Sequence, residues 1–182
     1  MSKAKALAIT GATGFVGSTT LDAALEQGIA VRALTRREQP ARDGVTWVQG
    51  DLDDADALTD LVQGVDAVVH IAGLTNTPDP AQFEHANVSG TANVIAAMKA
   101  KAHKRLVFVS SLSAREPALS QYGASKAKAE ELVAQSGLDW TSVRPPAVYG
   151  PRDVDMFELF RSAKMGLVPL PPSGGTSLIH AL

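Results

Sequence analysis

The chain has 182 residues, of which 45% are hydrophobic and 20% charged, with a formal net charge of −2 and no cysteine. A length of this order holds one domain, or one domain and part of a second, and the lack of cysteine excludes disulfides, thiolate metal sites and a cysteine nucleophile. The slightly acidic balance argues against a nucleic-acid partner, no apolar run approaches the roughly 20 residues that span a bilayer, and the N-terminus lacks a signal-peptide pattern, so the expectation is a cytoplasmic protein with no membrane partner. The basic cluster from Lys99 to Arg105 reads as a solvated helix end, where cations meet the negative end of the dipole.

Apolar, β-rich runs alternate with helical patterns from the start. Strands are expected at Ala6 to Ile9, Ile29 to Leu34, Thr46 to Gln49, Ala67 to Ile71, Leu106 to Val109 and Trp140 to Val143. Helices are expected at Phe15 to Gln27, Ala55 to Val62, Gln82 to Lys101 and Tyr122 to Gln135. Strands that read as nearly continuous apolar runs and alternate with helices imply an α/β fold, a doubly wound parallel sheet with helices on both faces. After Arg144 the character changes. Six prolines and the pair Gly174-Gly175 break the pattern around one helix, Met156 to Lys164. The division expected is residues 1–150 as a nucleotide-binding domain, and 151–182 as the start of a substrate-binding portion. The apolar ending Leu178-Ile179-His180-Ala181-Leu182 suggests a truncated C-terminal portion.

The segment Thr10-Gly11-Ala12-Thr13-Gly14-Phe15-Val16-Gly17 lies between the first strand and the first helix. Its GxxGxxG spacing meets three needs of a dinucleotide site: a tight turn, a backbone bare enough for a pyrophosphate to approach, and close packing of helix on strand. The helix N-terminus adds free N–H groups and the positive dipole end. Because the strand and helix flank it as the motif requires, the turn predicts a Rossmann domain that binds NAD(P). No lysine follows the glycines, which excludes a Walker A loop. At the end of the second strand stand Thr35, Arg36 and Arg37, with no acidic residue before Glu38. An acidic residue there binds the ribose 2′-OH of NAD, whereas arginine accommodates a 2′-phosphate, so NADP is favoured over NAD.

The acidic stretch Asp51, Asp53, Asp54, Asp56 fails the calcium-loop pattern, and no metal site is expected. Asp53 or Asp54 reads as a helix N-cap, and Asp51 is set aside for function. Tyr122 and Lys126 stand one helical turn apart, hence on one face. A neighbouring ammonium would favour a phenolate, whose free pKa of about 10 is otherwise too high for a base. Ser110, Ser111 and Ser113 follow the fifth strand, at the carboxyl edge where open α/β sheets bind ligands.

In combination these motifs resemble the short-chain dehydrogenase/reductase superfamily, in its extended, NAD-dependent epimerase/dehydratase-like branch. The resemblance rests on the glycine turn, Gly50-Asp51-Leu52, His70-Ile71-Ala72-Gly73, Asn87 to Thr91, Ser110-Ser111, Tyr122 to Lys126 and Arg144 to Pro151, in the family's order. It implies that Gly11, Thr13, Gly14, Phe15, Val16 and Gly17 hold the pyrophosphate, and that Asp51 and Leu52 contact the adenine. Ala72 and Gly73 would line the cofactor ribose, and Pro145 to Val148 would pass the nicotinamide amide. Tyr122 would be the acid/base and Lys126 would hold the nicotinamide ribose. Ser111 would polarise the substrate, with Ser113 in reserve, and Asn87 would sit on the long helix behind the site. The implied activity is hydride transfer between nicotinamide and a small alcohol or carbonyl substrate. The alternatives are a sugar-nucleotide epimerase or dehydratase, and a non-catalytic NAD(P)-binding sensor or subunit. The resemblance also implies a homodimer through the helices of Asn87 and Tyr122, where Ala92, Ala96, Ala97, Ala127 and Ala129 would permit close packing.

Overall fold

A computed structural model of the chain describes residues 6–103, 105–153 and 155–166. They divide into two compact units, one ending at Pro146 and the other beginning at Ala147. The first unit is built on a six-stranded parallel sheet: β1 Ala6–Thr10, β2 Ala30–Thr35, β3 Val45–Gln49, β4 Ala67–His70, β5 Arg105–Val109 and β6 Asp139–Val143. Its order is β3-β2-β1-β4-β5-β6. The winding runs outward from β1 in one direction and then from β4 in the other, so the connections leaving β1 and β4 part there. The carboxyl ends of these two strands therefore open a crevice, the place where such sheets bind ligands.

Alternate residues of β1 to β4 feed two cores, and β5 feeds one of them. On one face Ala8, Leu34, Val68, Leu106 and Phe108 pack against α2 (Ala55–Leu61), α4 (Gly90–Ala100) and α5 (Gln121–Ala134). On the other, Ile9, Val31 and Ala33 pack against Leu21 and Ala24 of α1 (Phe15–Glu26). The strand period of two thus becomes two apolar layers. Every expected strand forms to within one residue, as do the helices other than the long one.

The long helix needs a correction. In place of one α-helix from Gln82 to Lys101, the chain forms a short α3, Pro80–Phe83, a π-helical turn, Glu84–Ser89, and then α4. Asp79 caps the start through its Oδ1, which accepts from Ala81 N at 3.0 Å, and Pro80 occupies the first turn, where a missing N–H costs nothing. A π turn leaves the apolar spacing nearly intact, so periodicity does not reveal it. Two 3₁₀ turns, Leu112–Arg115 and Pro117–Leu119, join β5 to α5 and also escape a pattern-based reading. Ala97 and Ala129 are buried within the chain's own core, while Ala96 is exposed. The second unit contains α6, Asp155–Lys164, with Tyr149 and Phe160 packed edge to face at 5.8 Å. Among the described residues, no helix is long and apolar enough to cross a membrane.

Candidate functional site

The glycine turn leaves β1 and enters α1 at the crevice. Gly11 has φ +75°, a left-handed conformation, and a Cβ there would lie 2.7 Å from Ala72 N. Gly17 is tighter still, since its Cβ would lie 1.9 Å from Gly11 O. Gly14 differs. Its Cβ would meet nothing nearer than Gly11 O at 3.4 Å. It is the N-cap of α1 and supplies no side-chain cap, so the first amides of the helix are left to a ligand or water. Two glycines are thus required by packing, and the third leaves its surroundings open. Thr13 is exposed, and Phe15 and Val16 are half-buried at the helix start.

At the end of β2, Thr35 is buried and its hydroxyl donates to Arg37 O at 2.7 Å while accepting from Arg37 N at 3.3 Å. This local turn presents Arg36 and Arg37 as exposed side chains. Beyond β3, Asp51 Oδ1 accepts from Asp53 N at 2.9 Å, and Asp54 is the cap of α2, accepting from Ala57 N at 2.9 Å. Leu52 is half-buried against Gly90, where a Cβ would come within 2.6 Å of its Cδ1. Asp51 therefore stands exposed at the sheet edge, and Leu52 is also part of the packing.

Residues 71–74, after β4, hold the site together. Thr10 Oγ1 accepts from both Ile71 N and Ala72 N at 3.2 Å. At the other end, Asn87 Oδ1 accepts from Leu74 N at 2.7 Å and Asn87 Nδ2 donates to Leu74 O at 3.0 Å. Between them Gly73 is exposed, and a Cβ there would lie 2.9 Å from Asn87 Oδ1 and 3.7 Å from Lys126 Nζ. Ala72, Gly73, Asn87 and Lys126 are thus brought together. Asn87, expected behind the site, is buried in the π turn.

Lys126 is buried on α5. Its Nζ donates to Val109 O at 2.8 Å, at the carboxyl end of β5, and lies 4.5 Å from the Phe108 ring centroid. Burial lowers its pKa to about 8, against the opposing pull of the Glu130 carboxylate one turn further on. Glu130 is itself gripped by Arg144, whose Nε donates to Oε1 at 2.8 Å, and this pairing holds the carboxyl below its usual range. Ser142 Oγ adds a long contact at 3.4 Å. Among the described residues, the buried Ser110 hydroxyl has no hydrogen-bond partner.

Tyr122 is half-buried one turn before Lys126, with its ring 6.1 Å from that of Phe83. Among the described residues, no hydrogen bond joins its hydroxyl to Lys126 or Ser111. The serine loop nevertheless lies against the same turn of α5: a Cβ on Gly123 would meet Ser113 O at 2.6 Å. Ser111 caps the first 3₁₀ turn, its Oγ accepting from Ser113 N at 3.2 Å, which leaves its hydroxyl hydrogen available to an incoming oxygen. Leu112 N donates to Pro145 O at 3.0 Å and so fixes Pro145 beside this loop. Val148 belongs to the second unit and is exposed.

The family model described as NAD(P)H-binding matches residues 11–158. The chain belongs to the extended short-chain dehydrogenase/reductase superfamily. The bare glycine turn, the uncapped start of α1 and the buried lysine at the same sheet edge fit the nicotinamide dinucleotide that this membership implies. A ceramide reductase of Caulobacter vibrioides is 38% identical over 96% of this chain and 56% of its own length. A 4-hydroxy-2-methyl-3-oxo-4-farnesyl-3,4-dihydroquinoline-1-oxide ketoreductase of Stigmatella aurantiaca is 34% identical over 80% of this chain and 51% of its own. The solved structure of the Bordetella bronchiseptica enzyme WbmH in complex with NAD+ matches with a TM-score of 0.80 and 27% identity, covering 91% of this chain and 64% of that one. The chain thus spans little more than half the length of these curated relatives.

Several residues that build the site carry no role in the sequence reading. Thr10 and His70 end strands, Thr91 and Ser125 sit inside helices, and Glu130 reads as an ordinary helix charge. Only the fold brings His70 to Thr10 across 60 residues and to Thr91 across 21, Ser125 to Asn87 across 38 and Glu130 to Arg144 across 14, so no local signal marks these pairings.

Proposed function

We propose that the chain forms the cofactor-binding and proton-transferring part of an NADP-dependent reductase that acts on a hydrophobic ketone or the corresponding alcohol. The carrying observation is the buried Lys126, one turn from Tyr122, reaching the carboxyl end of β5 on the same sheet edge as the open face of Gly14. The relatives' names support the substrate class, since one is named a ceramide reductase and another a ketoreductase of a farnesylated dihydroquinoline oxide. When bound, a nicotinamide dinucleotide supplies or accepts the hydride.

The chain's own residues supply the remainder. Amides at the start of α1 hold the pyrophosphate, and Gly11, Thr13, Gly14, Phe15, Val16 and Gly17 shape its seat. Arg36 and Arg37 meet the 2′-phosphate. Asp51 and Leu52 border the adenine, Ala72 and Gly73 the ribose, and Pro145 the nicotinamide amide. Ser111 donates its hydroxyl hydrogen to the substrate oxygen. In the reducing direction Tyr122 delivers a proton to that oxygen, and Lys126 stabilises the phenolate left behind. Asn87 fixes residues 73 and 74 relative to α5.

The test mixes purified protein with NADPH and a panel of long-chain ketones, and follows NADPH absorbance. Tyr122→Phe is expected to reduce turnover by about a hundredfold or more while leaving nucleotide affinity intact. Unchanged turnover in this variant would remove Tyr122 from the mechanism. An epimerase or dehydratase would instead hold its nucleotide through purification and leave no net change in NADPH.

A further inference from the structure

His70, at the end of β4, is fully buried between two hydroxyls and takes no part in the chemistry above. Its Nδ1 lies 2.6 Å from Thr10 Oγ1, and its Nε2 lies 3.0 Å from Thr91 Oγ1. The neighbours of these hydroxyls settle the direction of each bond. Thr91 Oγ1 stands 2.6 Å from Asn87 O, a carbonyl that can only accept, so the single Thr91 hydrogen is used there. Thr91 must therefore accept from His70, which places a hydrogen on Nε2. Thr10 Oγ1 accepts from the Ile71 and Ala72 amides, which leaves its own hydrogen for His70 Nδ1. A neutral imidazole offers one donor and one acceptor, and both are matched.

The chain of bonds continues beyond Thr91. Asn87 Nδ2 donates to Ser125 Oγ at 2.9 Å, and Ser125 Oγ donates to Tyr122 O at 2.8 Å. We propose that His70 is a positioning residue: as a neutral imidazole protonated at Nε2, it joins the strand end that begins the glycine turn to the helical turn of Asn87, and through Asn87 and Ser125 to Tyr122. This rests on the reading of the glycine turn and Tyr122 given above. Residues 71–74 are held by Thr10 at one end and by Asn87 at the other, with His70 bonded to Thr10 directly and linked to Asn87 O through Thr91.

Two further features agree with a neutral ring. Burial first, and the Lys126 charge second, push the His70 pKa down to about 3. Its apolar face meets the Phe108 ring at 5.7 Å, the same ring over which the Lys126 ammonium sits.

The two bonds can be separated by substitution, because an asparagine amide reaches the place of Nδ1 and a glutamine amide that of Nε2. His70→Asn keeps a partner for Thr10 and loses Thr91, whereas His70→Gln keeps Thr91 and loses Thr10. The wild-type protein, free of nucleotide, is first examined by ¹⁵N NMR of the imidazole. The expected result is the Nε2–H tautomer, still neutral at pH 5. Nucleotide affinity and exchange of the Leu74 amide hydrogen are then measured in both variants. His70→Gln is expected to weaken NADPH binding about tenfold with Leu74 protection retained, and His70→Asn to lose about tenfold in Leu74 protection with binding retained. An Nδ1–H tautomer or a charged ring, or equal losses in both variants, would overturn the inference alone. A wild-type protein that shows the Nε2–H tautomer but binds no nucleotide would overturn the positioning role together with the functional reading.

Discussion

Gly14 and Gly17 stand three residues apart in one turn and face opposite constraints. Alanine at position 17 would put its methyl 1.9 Å from Gly11 O, a contact only a shift of backbone can relieve. Gly17→Ala is therefore expected to cost roughly 3 kcal/mol or more of stability, read from urea unfolding. Gly14 has φ −82° and ψ 176°, which alanine adopts freely, and there is room for the methyl. Gly14→Ala should stay within about 1 kcal/mol of the parent, while nucleotide affinity falls because the methyl occupies the open face. Equal stability losses in the two variants would contradict this division of labour. His70 adds a pH dependence. Its pKa is about 6.5 when unfolded and about 3 when folded, so between these values the unfolded chain binds the extra proton. The contribution is complete above pH 6.5 and is lost as pH falls toward 3, by up to about 1.4 kcal/mol per pH unit. Unfolding of wild type and His70→Gln at pH 7 and pH 5 should show a smaller acid loss in the variant. At this scale the glycine turn and Asp54 as one of two candidate caps were legible from residue type and spacing. The partner of His70 was not, because Thr10 and Thr91 meet it only once β1, β4 and α4 have packed.

On the scale of elements, α5 carries Tyr122, Lys126 and Glu130 at intervals of one turn. The spacing predicted a shared face for the first two residues, and the structure extends that face to Glu130 and its partner Arg144 at the end of β6. What spacing could not reveal is the target of Lys126, the carbonyl of Val109, because that contact depends on how deeply the helix lies on the sheet. The burial has a measurable consequence. Lys126 has a pKa of about 8 when folded and 10.5 when unfolded, so the unfolded chain binds more protons in this window and stability gains from this group as pH rises through it. In Lys126→Met that gain is absent. The stability of wild type relative to the variant is thus expected to improve between pH 8 and pH 10.5, measured by denaturant unfolding at both ends. A difference independent of pH would show that the lysine is not desolvated. The long helix teaches the same lesson as Val109. Its existence followed from apolar spacing, but the π turn that points Asn87 inward did not.

At the scale of the whole molecule, alternating strands and helices made the parallel sheet legible, and the observed order β3-β2-β1-β4-β5-β6 places the reversal beside the glycine turn. The two apolar layers were legible for the same reason, since buried parallel strands carry hydrophobic residues on both faces. Substrate recognition was not, because no residue pattern in the sequence marks a substrate, and the chain spans 56% of the length of the ceramide reductase it matches. Nucleotide binding is the property on which the rest of the account depends. It is tested most directly by calorimetric titration of the purified chain with NADPH and with NADH. The account predicts that NADPH binds more tightly, and that Arg36→Ala and Arg37→Ala remove this preference while leaving NADH affinity unchanged. Tighter binding of NADH, or a preference for NADPH that survives both substitutions, would contradict the assignment of the 2′-phosphate site, and binding of neither nucleotide would contradict the central claim.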